Sequence, residues 1–124
     1  MKNDKAQWIK KNIKPGEQYA GLILGKDGAP DHHLVLLPGE AEAVNWAGAK
    51  AFAKKAGGEL PTRREQSLLF ANLREQFKPA AYWSGEQHAV TSDYAWYQTF
   101  YTGWQSNDTI ITKLRARAVR RIAI

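Results

Sequence analysis

Residues 82–104 read YWSGEQHAVTSDYAWYQTFYTGW and hold three of the chain's five Trp, four of its five Tyr, and Phe100. Tyr94, Trp96, Gln98 and Phe100 alternate with Ala95, Tyr97, Thr99 and Tyr101, and aromatic and β-branched residues dominate between the polar breaks. This spacing predicts strands. A sheet built here carries rings on both faces. One face is expected to be core, because each ring buries roughly 150–250 Å². The other, with Tyr97, Tyr101 and Trp104, is expected to be a binding surface, since Tyr and Trp suit places that are apolar at one end and wet at the other.

Upstream of this stretch, Thr62 and Glu65 stand at capping-box spacing and predict a helix through Leu68, Leu69, Phe70, Leu73 and Phe77, closed by Lys78-Pro79. Residues 43–55, rich in Ala and Lys, predict another helix, with Val44, Gly48, Ala51 and Phe52 on one stripe and Trp46, Ala49 and Ala53 beside it. Small residues at Ala47, Gly48 and Ala51 are expected to let it approach a neighbour closely, and Gly57-Gly58 ends it. Earlier still, 19–24 and 34–37 are apolar runs separated by the turn residues 25–30, the pattern of a β-hairpin. His32 and His33 at its base should point to opposite faces and so cannot easily share one metal. With His88 as the third histidine and no cysteine, no metal site is expected. At the N-terminus, Asn3 or Asp4 is expected to cap a basic amphipathic helix that runs to about Ile13, stops at Pro15-Gly16 and docks on its own domain through Trp8.

Downstream, Gln105-Ser106-Asn107-Asp108 reads as a polar turn and 109–112 as a short strand. Residues 113–124 read as a terminal strand, with Leu114, Ala116, Ala118, Ile122 and Ile124 on one face and Lys113, Arg115, Arg117 and Arg121 as a basic outer row. Arg120 falls on the apolar side unless a bulge shifts the register, and there it needs a carboxylate or several carbonyls, with Glu59, Glu65 and Asp93 as the candidate carboxylates.

The length of 124 residues suits one α+β domain at 17–124 with a helical extension at 1–16. The absence of cysteine removes disulfides, thiolate nucleophiles and Cys-ligated zinc. The charged first residues do not read as a signal peptide and no apolar run reaches the length of a membrane span, so the expectation is a cytoplasmic protein without membrane insertion. A formal charge of +6 with a pI of about 9.7 biases partners toward polyanions or an acidic protein face.

Four short motifs occur in order: GELPTRRE at 58–65, Tyr82-Trp83-Ser84, Ala95-Trp96, and RARAVR at 115–120. They resemble, in turn, the "GGRLPT-x-x-E" helix opening, the "YWSS" strand, the "AW" strand and the "RVRAVR" ending of the C-type-lectin-like fold in its bacterial and phage branch, which includes the C-terminal domain of collagen-like adhesins and, more distantly, formylglycine-generating enzymes. The resemblance covers about residues 18–122 and leaves the N-terminal helix outside. It implies antiparallel sheets with two packed helices, a phage or prophage origin compatible with virion association, and a last third that displays side chains for recognition over 85–94 and 97–108. Formylglycine-generating enzymes need active-site cysteines, which this chain lacks. Calcium-dependent lectins use a "WND" strand. Here Trp104-Gln105-Ser106-Asn107-Asp108 has the residues at the wrong spacing for the six to eight oxygens that Ca²⁺ takes.

Three functions are weighed. The first is a non-enzymatic binding module for a protein or glycan, using Tyr97, Tyr101 and Trp104 with Glu86, Gln87, His88, Gln105, Asn107 and Asp108, an aromatic-plus-amide mixture suited to recognition. The second is a binder of nucleic acid or another polyanion, or an intracellular inhibitor of a host factor, using Arg63, Arg64, Lys113, Arg115, Arg117 and Arg121; no helix-turn-helix or RNA-recognition signature accompanies it. The third is catalysis, with Ser84, His88 and Asp93 as the best constellation but no strained nucleophile turn around the serine. The first is the expectation, with no catalytic residue and no cofactor, and self-association through sheet edges or the N-terminal helix is left open.

Overall fold

The computed structural model describes residues 2–124, with only the backbone described for Lys2 and Asn3. In chain order the elements are α1 (Lys2–Asn12), β1 (Gln18–Ile23), β2 (His32–Leu36), β3 (Ala41–Val44), α2 (Trp46–Lys55) and α3 (Arg63–Leu73). Then come β4 (Ala81–Gln87), β5 (Tyr94–Thr99), β6 (Gln105–Thr109), β7 (Leu114–Ala116) and β8 (Val119–Ala123). They make an α+β domain with two sheets. One is antiparallel with strand order β1-β2-β8; the other has order β3-β7-β4-β5-β6 and is antiparallel except where β4 runs parallel to β7.

The expected capping box is present. The Thr62 hydroxyl accepts from the Glu65 amide at 3.1 Å, and the Glu65 carboxylate accepts from the Thr62 amide at 2.8 Å. α3 ends earlier than Phe77, because residues 74–76 tighten into one 3₁₀ turn and Phe77 itself is extended. That turn carries the Phe77 ring onto Phe100, with centroids 3.9 Å apart, and edge-on to Tyr82.

The strand stretch is paired on both faces, which corrects the expectation of one open side. Successive strand residues face opposite ways. Tyr82 and Phe100 therefore join Ala20, Ile23, Leu34, Leu36, Leu69 and Val119 in a core beneath α3, whereas Trp83 and Ala95 join Trp46, Ala49, Ala53 and Ala118 in a second core beneath α2. Tyr97 packs at the margin of that second core.

Four other expectations change. The helix read at 43–55 begins later: residues 41–44 extend as β3, and Asn45 caps α2 by accepting from the Gly48 amide at 2.8 Å. Its buried face is Trp46, Ala49 and Ala53, while Ala47 and Ala51 are exposed, because the Trp46 indole N–H donates to the Ser84 carbonyl at 2.8 Å and sets the helix's rotation. Residues 105–108 are not a turn but most of edge strand β6, in register with β5 from Gln98↔Gln105 to Tyr94↔Thr109; the chain reverses instead at 100–103, and 110–112 is a turn. The terminal strand is broken at Arg117-Ala118, where the chain leaves the larger sheet as β7 and enters the smaller as β8. Finally, α1 is already helical at Lys2, so Asp4 lies in its first turn instead of capping it, and the Asn3 side chain falls outside the described residues.

α1 docks through Trp8, as expected. Its ring lies 4.1 Å from that of His33 and 5.1 Å from that of Tyr19, on the opposite side of β2 from His32. Among the described residues no helix is long and apolar enough to cross a membrane.

Candidate functional site

A groove of about 610 Å³ opens where the β1–β2 loop, the head of α3 and the strands β4, β6 and β8 converge. Its walls include Leu24 and Lys26 from the loop, Arg63 and Arg64 from the helix, Glu86 from β4 and Gln105 from β6. The capping box places the two arginines, since the residues directly after an N-cap begin the first turn.

Glu65, His32 and Arg121 line the same groove. The Glu65 carboxylate is 1% exposed and receives Arg121 through two hydrogen bonds, Nε to Oε2 at 2.7 Å and Nη2 to Oε1 at 2.8 Å, and His32 Nε2 lies 2.7 Å from Oε2. Burial pushes the Glu65 carboxyl up, but the Arg121 hydrogen bonds, the Thr62 amide, the Arg121 charge and His32 together outweigh burial and hold it below the ordinary carboxylate value. Arg121 Nη1 reaches Glu59 at 2.6 Å as well.

Arg63 is held differently. Its guanidinium lies 3.5 Å from the centre of the Trp96 ring, its Nε donates to Gln105 Oε1 at 3.1 Å, and its backbone amide donates to Glu86 at 2.6 Å. Gln105 returns the contact by donating to the Arg63 carbonyl at 2.7 Å and to Gln98 Oε1 at 2.8 Å. His88 stacks on the same Trp96, centroids 5.7 Å apart, while its Nδ1 accepts from the Thr91 amide at 3.0 Å. Arg64 turns the other way and donates to the Leu24 carbonyl at 2.8 Å.

The far end of the β5–β6 hairpin carries the large exposed rings, Tyr101 at 65% and Trp104 at 66%. The turn beneath them is pinned: Arg74 donates to the Tyr101 carbonyl at 2.6 Å, and the Gly103 amide donates to the Thr99 carbonyl at 2.8 Å. Gly103 sits at φ +84 against the Phe70 ring, where a Cβ would come within 2.8 Å.

The expected site residues thus divide. Arg63, Arg64, Arg121, Glu86 and Gln105 share the groove, with His88 beside it; Tyr101 and Trp104 share the hairpin tip. Gln87 donates to the Ser92 carbonyl at 2.6 Å, Asn107 pairs with Trp96 across the β5–β6 ladder, and Asp108 accepts from the Thr109 amide at 2.7 Å. The basic outer row is not a row, because β7 and β8 belong to different sheets. Arg115 pairs with Glu40 at 2.5 Å, and Glu40 in turn accepts from the Tyr82 hydroxyl, whose pKa burial and this carboxylate push up to about 12. Arg117 donates to the Gln76 and Leu37 carbonyls at 2.6 and 2.9 Å, and Lys113 is exposed. Arg120 is matched by none of the three candidates: it meets Glu17 at 2.7 Å and donates to the Asn12 carbonyl at 2.8 Å.

Ser84, His88 and Asp93 do not assemble. The Ser84 hydroxyl is buried and donates to the Trp96 carbonyl at 2.7 Å, and His88 Nδ1 accepts from the Val90 and Thr91 amides at 3.2 and 3.0 Å. Sequence reading missed Lys26, His32 and Glu65 as groove residues, and Trp96 as the ring on which Arg63 lies. One signal was present, since a capping-box Glu uses one oxygen on the helix and leaves the other for a partner.

Against known proteins, no family model matches this chain, and no curated protein matches it.

Proposed function

We propose that this chain is a non-enzymatic binding module of the C-type-lectin-like type that recognises a protein or glycan through its aromatic-rich C-terminal third. The observation that carries this reading is the hairpin tip, where Tyr101 and Trp104 are each about two-thirds exposed on a turn held by Arg74 and Phe70. Exposed rings usually cost solubility, whereas rings on a stiff mount lose little entropy when a ligand covers them. The motif order and the α+β architecture agree with the resemblance. The polyanion reading through the C-terminal strands draws less support, because Arg115, Arg117 and Arg121 are each held by internal partners.

A glycan array probed with the wild-type domain and with Tyr101→Ala and Trp104→Ala tests this. Because both rings are exposed, the variants should melt like the wild type and lose binding. Binding that survives both substitutions would refute the tip as the recognition surface. If no glycan binds, the same variants become the controls in capturing a protein partner.

A further inference from the structure

The groove at the head of α3 holds more positive charge than its own carboxylates take up. Arg121 is matched by Glu65 and Glu59, and Glu65 also meets His32. Among the described residues, the Lys26 ammonium and the Arg63 and Arg64 guanidinium groups have no carboxylate oxygen within 4.0 Å, and Glu86, which accepts from the Arg63 backbone amide, is the acidic groove residue left to face them.

These cations are prepared to different degrees. The Arg63 guanidinium is fixed by Trp96 on its face and Gln105 at Nε, so both Nη groups stay available in a set orientation. Arg64 reaches the hairpin side with one Nη and keeps its remaining donors. Lys26 stands on the loop itself. The first α3 amides add little, since Glu86 takes that of Arg63 and Thr62 takes that of Glu65. Cations that line one groove from two walls suit an anion whose oxygens point several ways, as phosphate and sulfate do; a carboxylate offers two coplanar oxygens to a single fork. The loop side adds apolar surface from Ile23, Leu24, Ala29 and Pro30. The volume of about 610 Å³ suits a small molecule.

We propose that this groove is a second binding site, for a small phosphate or sulfate ester whose oxygens are held by Arg63, Arg64 and Lys26 and whose apolar body lies against Leu24 and Pro30. It is independent of the hairpin tip, since neither Tyr101 nor Trp104 lines it.

Calorimetric titration of the full chain at low salt with phenyl phosphate, phenyl sulfate and the neutral phenyl β-glucoside tests the site. Both anions should saturate and the neutral compound should not. Arg64→Gln and Lys26→Gln should each weaken anion binding about tenfold, the loss expected for one charge-assisted hydrogen bond. Trp104→Ala should leave it unchanged, which separates this site from the tip. Lys55→Gln, which removes the same charge from α2, should change it little. A preference for the phosphate or for the sulfate names the natural ester. The proposal fails if neither anion saturates at millimolar concentration, if the neutral compound binds equally, or if Lys55→Gln weakens binding as much as the groove variants do. Melting curves confirm that each variant is folded.

Discussion

Arg121 lies fork to carboxylate against Glu65, at 2.7 and 2.8 Å, so the last strand is tied to the residue that caps α3. Because the Glu65 carboxyl is held below its ordinary value of 4.5, the protonated form is favoured by unfolding. The stabilisation is fully present above that ordinary value and is lost as pH falls through the lowered one. Glu65→Gln should cost about 3 kcal/mol near neutral pH, since it leaves Arg121 half-buried without its main partner. It should also flatten the acid side of the stability curve. Urea melts of both proteins across the acid range check this, and an unchanged acid slope in the variant would sink the assignment.

Arg120 clamps the N-terminal helix to the domain through Glu17 and the Asn12 carbonyl. Its hydrogen bonds are also what hold the Glu17 carboxyl below the usual range. Arg120→Ala should speed amide exchange across α1 about tenfold while β2 stays protected, the size expected from losing a charged hydrogen bond. Exchange in α1 at the wild-type rate would mean that Trp8 alone holds the helix.

Thr62→Ala removes the hydroxyl that accepts from the Glu65 amide and should lower stability by about 1 kcal/mol in denaturant melts. Thr62→Ser keeps that oxygen and should recover most of the loss. Equal stability of the alanine variant and the wild type would show that the Glu65 half of the box caps the helix alone.

Gly58 has no room for a side chain: a Cβ there would lie 2.2 Å from the Val119 carbonyl oxygen and 2.8 Å from a Leu37 methyl. That carbonyl accepts from the Glu59 amide at 2.9 Å, so the clash falls on the bridge that joins the end of the α2 segment to β8. Gly58→Ala should therefore cost about 2 kcal/mol by overpacking. Thermal melting reads it directly, and a variant as stable as the wild type would require β8 to shift.

Features resting on a few adjacent residues were legible. The Thr62–Glu65 box, the hairpin around 25–30 and the opposed His32 and His33 follow from local spacing, and each is present. β6 was not legible. Gln105-Ser106-Asn107-Asp108 has turn-forming composition, but the edge of β5 offers it a ladder, and Gln98 and Gln105 join their side-chain amides at 2.8 Å. The rotation of α2 was hidden for a similar reason, because the indole of Trp46 chooses its buried side by reaching Ser84, 38 positions away.

The candidate site divides along the same line. Composition and local spacing already show which residues are aromatic or charged, that Arg63 and Arg64 open a helix, and that Tyr82, Trp83, Tyr94, Trp96 and Tyr97 lie on strands. Which cations are neutralised follows from the packing of distant elements. Arg120 meets Glu17 and Arg121 meets Glu59 and Glu65, because adjacent strand residues face opposite sides and each side is covered by a different part of the chain. Strand and helix periods act over a few residues, whereas a charge takes whichever partner the packing of distant elements brings within hydrogen-bond reach.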